Sequence, residues 1–159
     1  MHLLRLAVVP LRILLVCLFG LLVVLQTLSL PGQFAHMAEE SPHDAHLRWP
    51  MTALAAAVLL CAQVVIVCTW KLLTLVRDDR IFSERSLVWV DAILWAIGAA
   101  WALVAGLFLY VGATGDDPGL PILLLLLVLA GAVLGLLMVV MRALLCQATT
   151  LRTDLEAVI

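Results

Sequence analysis

Asp91 is the acidic residue of this chain that water reaches least easily, because an uncharged run from Ala92 to Gly115 follows it. It lies five residues past Ser86, about 7 Å along a helix at 1.5 Å per residue. A charge held in lipid is costly, so such a residue turns toward the protein interior and finds a partner. On a helical wheel Trp95, Gly98, Ala102 and Ala105 follow Asp91 on one face, and Trp89 and Ile93 lie opposite, toward lipid. In the last apolar segment Gly131, Gly135, Met138 and Arg142 share a face, which makes Arg142 the first candidate partner. Arg12 is the second candidate and Lys71 the third. Two chemistries compete: a proton or cation site, and a structural ion pair. A single carboxylate near one end of a span, away from the midplane, favours the ion pair.

The other residues with ligating chemistry lie between the first two apolar segments. His36, His43 and His46, with Glu39, Glu40 and Asp44, carry the donor types that suit zinc or nickel. Pro42 interrupts the helix that would align them, and Ser41 with Asp44 reads instead as the start of a short surface helix in a solvated loop. No histidine falls inside an expected membrane span, so no haem is expected between helices. Cys17, Cys61, Cys68 and Cys146 form no CxxC pair and read as free thiols. No nucleophile–base pair, cofactor motif or phosphate-binding glycine loop is present. The expectation is therefore a non-enzymatic protein with no catalytic residue and no cofactor.

The elements that carry these residues follow from composition. Of 159 residues 65% are hydrophobic and 13% charged, against about half and about a quarter in a soluble domain. The net charge of −2 points to no direct nucleic-acid partner. Residues 13–38, 49–70, 92–115 and 118–141 contain no Asp, Glu, Lys or Arg. Each exceeds the roughly 20 residues that cross a bilayer as a helix, the form that satisfies the backbone internally. The fold class is an all-α integral membrane protein, a four-helix bundle forming one domain over residues 1–159. Spans are expected at 9–30, 51–76, 87–111 and 120–141, with outer loops at 31–50 and 112–119 and an inner loop at 77–86. Pro31-Gly32 is expected to stop the first helix. Pro50 and Pro121 suit first turns, and Ser83 reads as the cap of the third helix, with Phe82 and Leu87 as a staple. The first apolar run is longer than a signal-peptide core, so it is read as a retained span.

Orientation comes from the basic flanks. Arg5, Arg12, Lys71, Arg77, Arg80, Arg85, Arg142 and Arg152 fall on one side, and Arg48 alone on the other. The eight belong inside, so both termini are expected in the cytoplasm. The tail from 142 to 159 reads as a short amphipathic helix with Leu144, Ala148, Leu151, Leu155 and Val158 on one stripe. Together with Ile81 and Phe82 of the inner loop, Leu151 and Leu155 make a candidate partner surface. Gly131-xxx-Gly135 and Gly98-xxx-Ala102-xxx-Gly106 suit close helix approach, within the chain or between copies, so a homo-oligomer is one expectation beside the lipid bilayer itself.

The stretches LSLPGQFAHMAEE, LRWP, CTWKLLTLVRDDRIFSE, WVDAILWAI, DDPGLP and MRALLCQATTLRTDLEAVI resemble the actinobacterial branch of a bacterial membrane-protein family, domain of unknown function 2975. The resemblance implies a four-span protein of the bacterial cytoplasmic membrane with no established activity. It also implies a small cytoplasmic helix-turn-helix regulator as the first partner to test, since relatives are often encoded beside one. The functional expectation is an interaction or regulatory component; the alternative is a small transporter or channel subunit with Asp91 in its path.

The charge bias makes a direct prediction. Cysteines placed at Glu39 and Asp116 should react with a membrane-impermeant maleimide in intact cells, and one at Asp79 should not. Labelling at position 79 in sealed cells would reverse the orientation.

Overall fold

The computed structural model describes residues 2–40, 48–77, 84–114 and 119–159, all helical except Ile159. The order is α1 (His2–Val24), a π-helical turn (Leu25–Ser29), α2 (Leu30–Glu40), α3 (Arg48–Arg77), α4 (Glu84–Thr114) and α5 (Gly119–Val158). Four segments are long and apolar enough to cross a membrane: Val8–Gln33, Trp49–Arg77, Glu84–Thr114 and Gly119–Val158. Ser83, expected to cap α4, lies outside the described residues.

Pro31-Gly32 does not stop the first helix. The chain stays helical to Glu40 because the π turn absorbs the proline. A proline ring in an α-helix collides with the carbonyl four residues back and removes a donor. Here the Leu30 N–H bonds the carbonyl of Leu25, five residues back, so the turn is widened just before Pro31. The Thr27 hydroxyl donates to the Val23 carbonyl at 2.8 Å, giving that oxygen a side-chain donor within the disturbed ladder. The expected outer loop at 31–50 is thereby shortened from its N-terminal side.

The helices pack in chain order. α3 lies against α1, α2 and α4, and α5 packs extensively only on α4. The four long apolar helices form an open row, in which the first and last make no extensive contact among the described residues. Pairings across the row run antiparallel: Arg12 meets Thr74 while Gln26 meets Gln63, and Asp91 meets Arg142 while Trp101 meets Val128. One end of the molecule therefore collects Arg12, Lys71, Arg85 and Arg142, and is called the basic end below.

A residue is fully enclosed only on a helix with neighbours on two sides. Accordingly Gln63, Ile66 and Cys68 of α3 and Ser86, Val90, Ile93 and Ala96 of α4 are the buried residues among those described. This corrects the helical wheel: Ile93 is buried, whereas Trp95 is 80% exposed. A single inward face was assumed for a helix that has two neighbours. Asp91 sits on its flank, toward α5. The far side of α4, with Gly98, Ala102 and Gly106, is exposed, and added Cβ atoms at Gly98 and Gly106 would meet nothing within 4 Å.

The α4–α5 seam is closest at Gly131. A Cβ there would stand 2.8 Å from Cδ1 of Trp101, whose indole N–H donates to the Val128 carbonyl at 2.9 Å. Glycine at 131 leaves that carbonyl open to a donor from the neighbouring helix. Gly131→Leu should therefore destabilise the solubilised protein by about 1–3 kcal/mol, the usual range for overpacking. Adding Trp101→Ala should cost less than the two changes separately. Strict additivity in thermal unfolding would mean that the indole is not what requires the glycine.

Candidate functional site

The basic end holds the polar side chains that spanning alone does not require. Arg142 grips Asp91 with both faces of its fork: Nε meets Oδ1, and Nη2 meets Oδ2 at 3.1 Å. A planar guanidinium matches a carboxylate in this bidentate way, fixing the rotation of α5 against α4 as well as its height. About 40% of each side chain remains exposed, so the pair sits at the rim of the seam. Beside it Asp91, Leu94, Trp95, Val139, Arg142 and Ala143 line a cleft of about 480 Å³. Within the pair the two charges cancel. Asp91 is held as an acceptor, and proton traffic through it would require the fork to open.

The other two candidate partners go elsewhere. Nη2 of Arg12 donates to the Thr74 hydroxyl at 3.0 Å, and the guanidinium lies 5.2 Å from the centre of the Trp70 ring. Lys71 lines a second cleft, between α3 and α4. His36 lies on α2 with its Nδ1 4.0 Å from a Glu39 oxygen, both side chains largely exposed. His43 and His46 lie outside the described residues, as do Ile81 and Phe82. Among the described residues no three His, Cys, Asp or Glu side chains come together as metal ligands would. Leu151 and Leu155 project from the end of α5, 63% and 66% exposed.

One polar contact escaped the sequence reading. The Gln63 amide, buried in the middle of α3, donates to Oε1 of Gln26 at 3.0 Å, and Gln26 donates to the Ala56 carbonyl at 3.3 Å. Gln26 belongs to the π turn, so the widening that admits Pro31 also carries the amide that ties this turn to α3. The signal was there: two glutamines inside uncharged runs. A search for formal charges passes over them, although an amide in lipid needs partners just as a charge does.

The family described as Protein of unknown function (DUF2975) matches residues 32–159. This chain belongs to that family. The DUF2975 match takes in most of α2 and all of α3, α4 and α5, so Gln63, the Trp101–Gly131 contact and the Asp91–Arg142 pair lie inside it. Arg12 and Gln26 precede it. No curated protein and no solved structure matches the chain.

Within this DUF2975 protein the ion pair generates a double-mutant test. Asp91→Leu should lower the melting temperature in mild detergent by several degrees, because it strands the Arg142 guanidinium at the seam. Adding Arg142→Leu should recover part of that loss. Simple addition of the two effects would show that the pair does not couple the helices.

Proposed function

We propose that this protein is a non-enzymatic docking component of a bacterial cytoplasmic membrane, with both termini in the cytoplasm, and that the end of α5 holds a soluble partner. The observation that carries this reading is that α5 outruns its neighbour. It has 40 residues, about 60 Å of helix, of which the hydrocarbon layer takes about 30 Å. Asp91 stands opposite Arg142, so Glu84, where α4 begins seven residues earlier, stands near Thr149. Beyond that point no described residue of α4 lies alongside α5, and residues 151–159 are exposed throughout.

The projecting segment is built as a surface. Leu151, Leu155 and Val158 run along one stripe at 63%, 66% and 86% exposure. The polar side is satisfied within the helix: Thr149, Thr150 and Thr153 donate to carbonyls four residues back, and Arg152 pairs with Glu156 at 3.3 Å. An amphipathic helix with its apolar stripe uncovered is a common recognition element for a groove on a second protein. A small helix-turn-helix regulator remains the first partner to try, on the family resemblance alone. The second reading is a small transporter or channel subunit, favoured by the cleft beside Asp91. It requires ion or proton flux in liposomes that Asp91→Asn abolishes.

A chain ending at Thr150 tests the docking reading. It should insert, keep the melting temperature of the full chain, and lose the soluble partner that co-purifies with the full chain. A large fall in melting temperature, or retention of the partner, would rule the docking role out.

A further inference from the structure

The basic end contains an imbalance that the Asp91–Arg142 pair makes visible. Arg142 has its carboxylate within the protein, whereas Arg12, Lys71 and Arg85 have none among the described residues. These three cations come from three helices and gather around one cleft. Lys71, Thr74 and Leu75 of α3 and Arg85, Val88 and Trp89 of α4 line about 400 Å³ between the two helices. Each helix contributes a cation followed by residues three and four further on, the spacing that places all three on one helix face. Arg12 stands behind the α3 wall, bonded to the same Thr74 hydroxyl, and its buried Nε has no partner. The Trp70 ring beside it offers only a quadrupole, a partial answer to a full positive charge.

Cations near a bilayer with no carboxylate among the described residues are placed to attract an anionic group of the lipid. The cleft itself says what that is. Its height is interfacial: Arg85 is the second residue of α4, and Lys71 lies six residues inside the end of α3, about 9 Å below it. Two of its polar groups are donors that suit phosphate oxygens, the Lys71 ammonium and the Arg85 guanidinium, whereas the Thr74 hydroxyl is already committed to the Trp70 carbonyl at 3.0 Å. The rest of its lining, Leu75, Val88 and Trp89, is apolar and suits an acyl chain, whereas a free anion gains nothing from it. Water reaches the headgroup level, so the long Lys71 stem can lie along apolar surface with its charge directed toward the interface.

We propose that the α3–α4 cleft binds one anionic phospholipid, with its phosphate between Lys71 and Arg85 and an acyl chain against Val88 and Trp89. The site is separate from the α5 docking surface, and its test does not depend on that reading. It also differs from the general attraction of basic loops to an anionic leaflet, because the two cations belong to different helices and face one cavity.

The experiment is native mass spectrometry of the full chain released from nanodiscs of phosphatidylcholine containing dioleoyl phosphatidylglycerol. One phosphatidylglycerol should stay bound to the wild type. Lys71→Gln with Arg85→Gln should weaken its retention roughly 30-fold, at roughly 5-fold per cation removed near the surface. The exchange Lys71→Arg with Arg85→Lys should retain the lipid. Arg77→Gln with Arg152→Gln removes as much charge from the same end outside the cleft and should also leave the lipid bound. Equal loss in this control would reduce the effect to unspecific attraction and overturn the proposal. So would unchanged retention in the double glutamine variant. Inorganic phosphate added in excess should not displace the lipid; displacement would make the cleft a free-anion site and refute the phospholipid assignment.

Discussion

In the hydrocarbon layer a polar group has no water to fall back on, and the contacts of this chain are arranged around that constraint. The backbone satisfies itself by staying helical, even across Pro31, where a π turn widens the ladder rather than breaking it. The side chains are satisfied across helix pairs. Gln26 and Gln63 join the first helix to α3, Arg12 reaches Thr74 at the basic end, and Asp91 and Arg142 join α4 to α5. Apolar packing between helices gains little where lipid tails compete equally well, so these bonds set which helices are neighbours and at what height. The α3–α4 contact is the exception. There the two helices pack extensively on each other, and Ser86 is fully buried.

The open row follows from the same economy. The polar fastenings join neighbours in the row, Arg12 and Gln26 to α3 and Arg142 and Val128 to α4, and among the described residues α1 and α5 make no extensive contact. The consequence is that, among the described residues, the enclosed ones lie on α3 and α4, with long apolar faces left to lipid. The molecule's two ends are unlike. One gathers cations, the Asp91–Arg142 ion pair and two clefts, and the last helix runs on past it. Trp101 against Gly131 shows how narrow the tolerances are along the seam that supports this end.

The sequence alone determined the number of spans, because uncharged runs longer than a bilayer have no other solvent. It also determined that Asp91 needed a partner, because its charge at the head of an apolar segment is costly, and it ranked Arg142 first from the face shared with Gly131, Gly135 and Met138. What it did not determine were features that depend on how many neighbours a helix has. A wheel drawn for one inward face put Ile93 toward lipid, yet α4 lies between α3 and α5, and Ile93 is buried. Local rules ended the first helix at Pro31-Gly32, but the tertiary contact of Gln26 with α3 holds the π turn that lets it continue. Residues 142–159 read as a short tail helix of their own, whereas α5 runs unbroken from Gly119 to Val158, and its register on α4 leaves Leu151 and Leu155 exposed. Local periodicity states which side of a helix is apolar. Only packing decides whether protein, lipid or an absent partner lies against it.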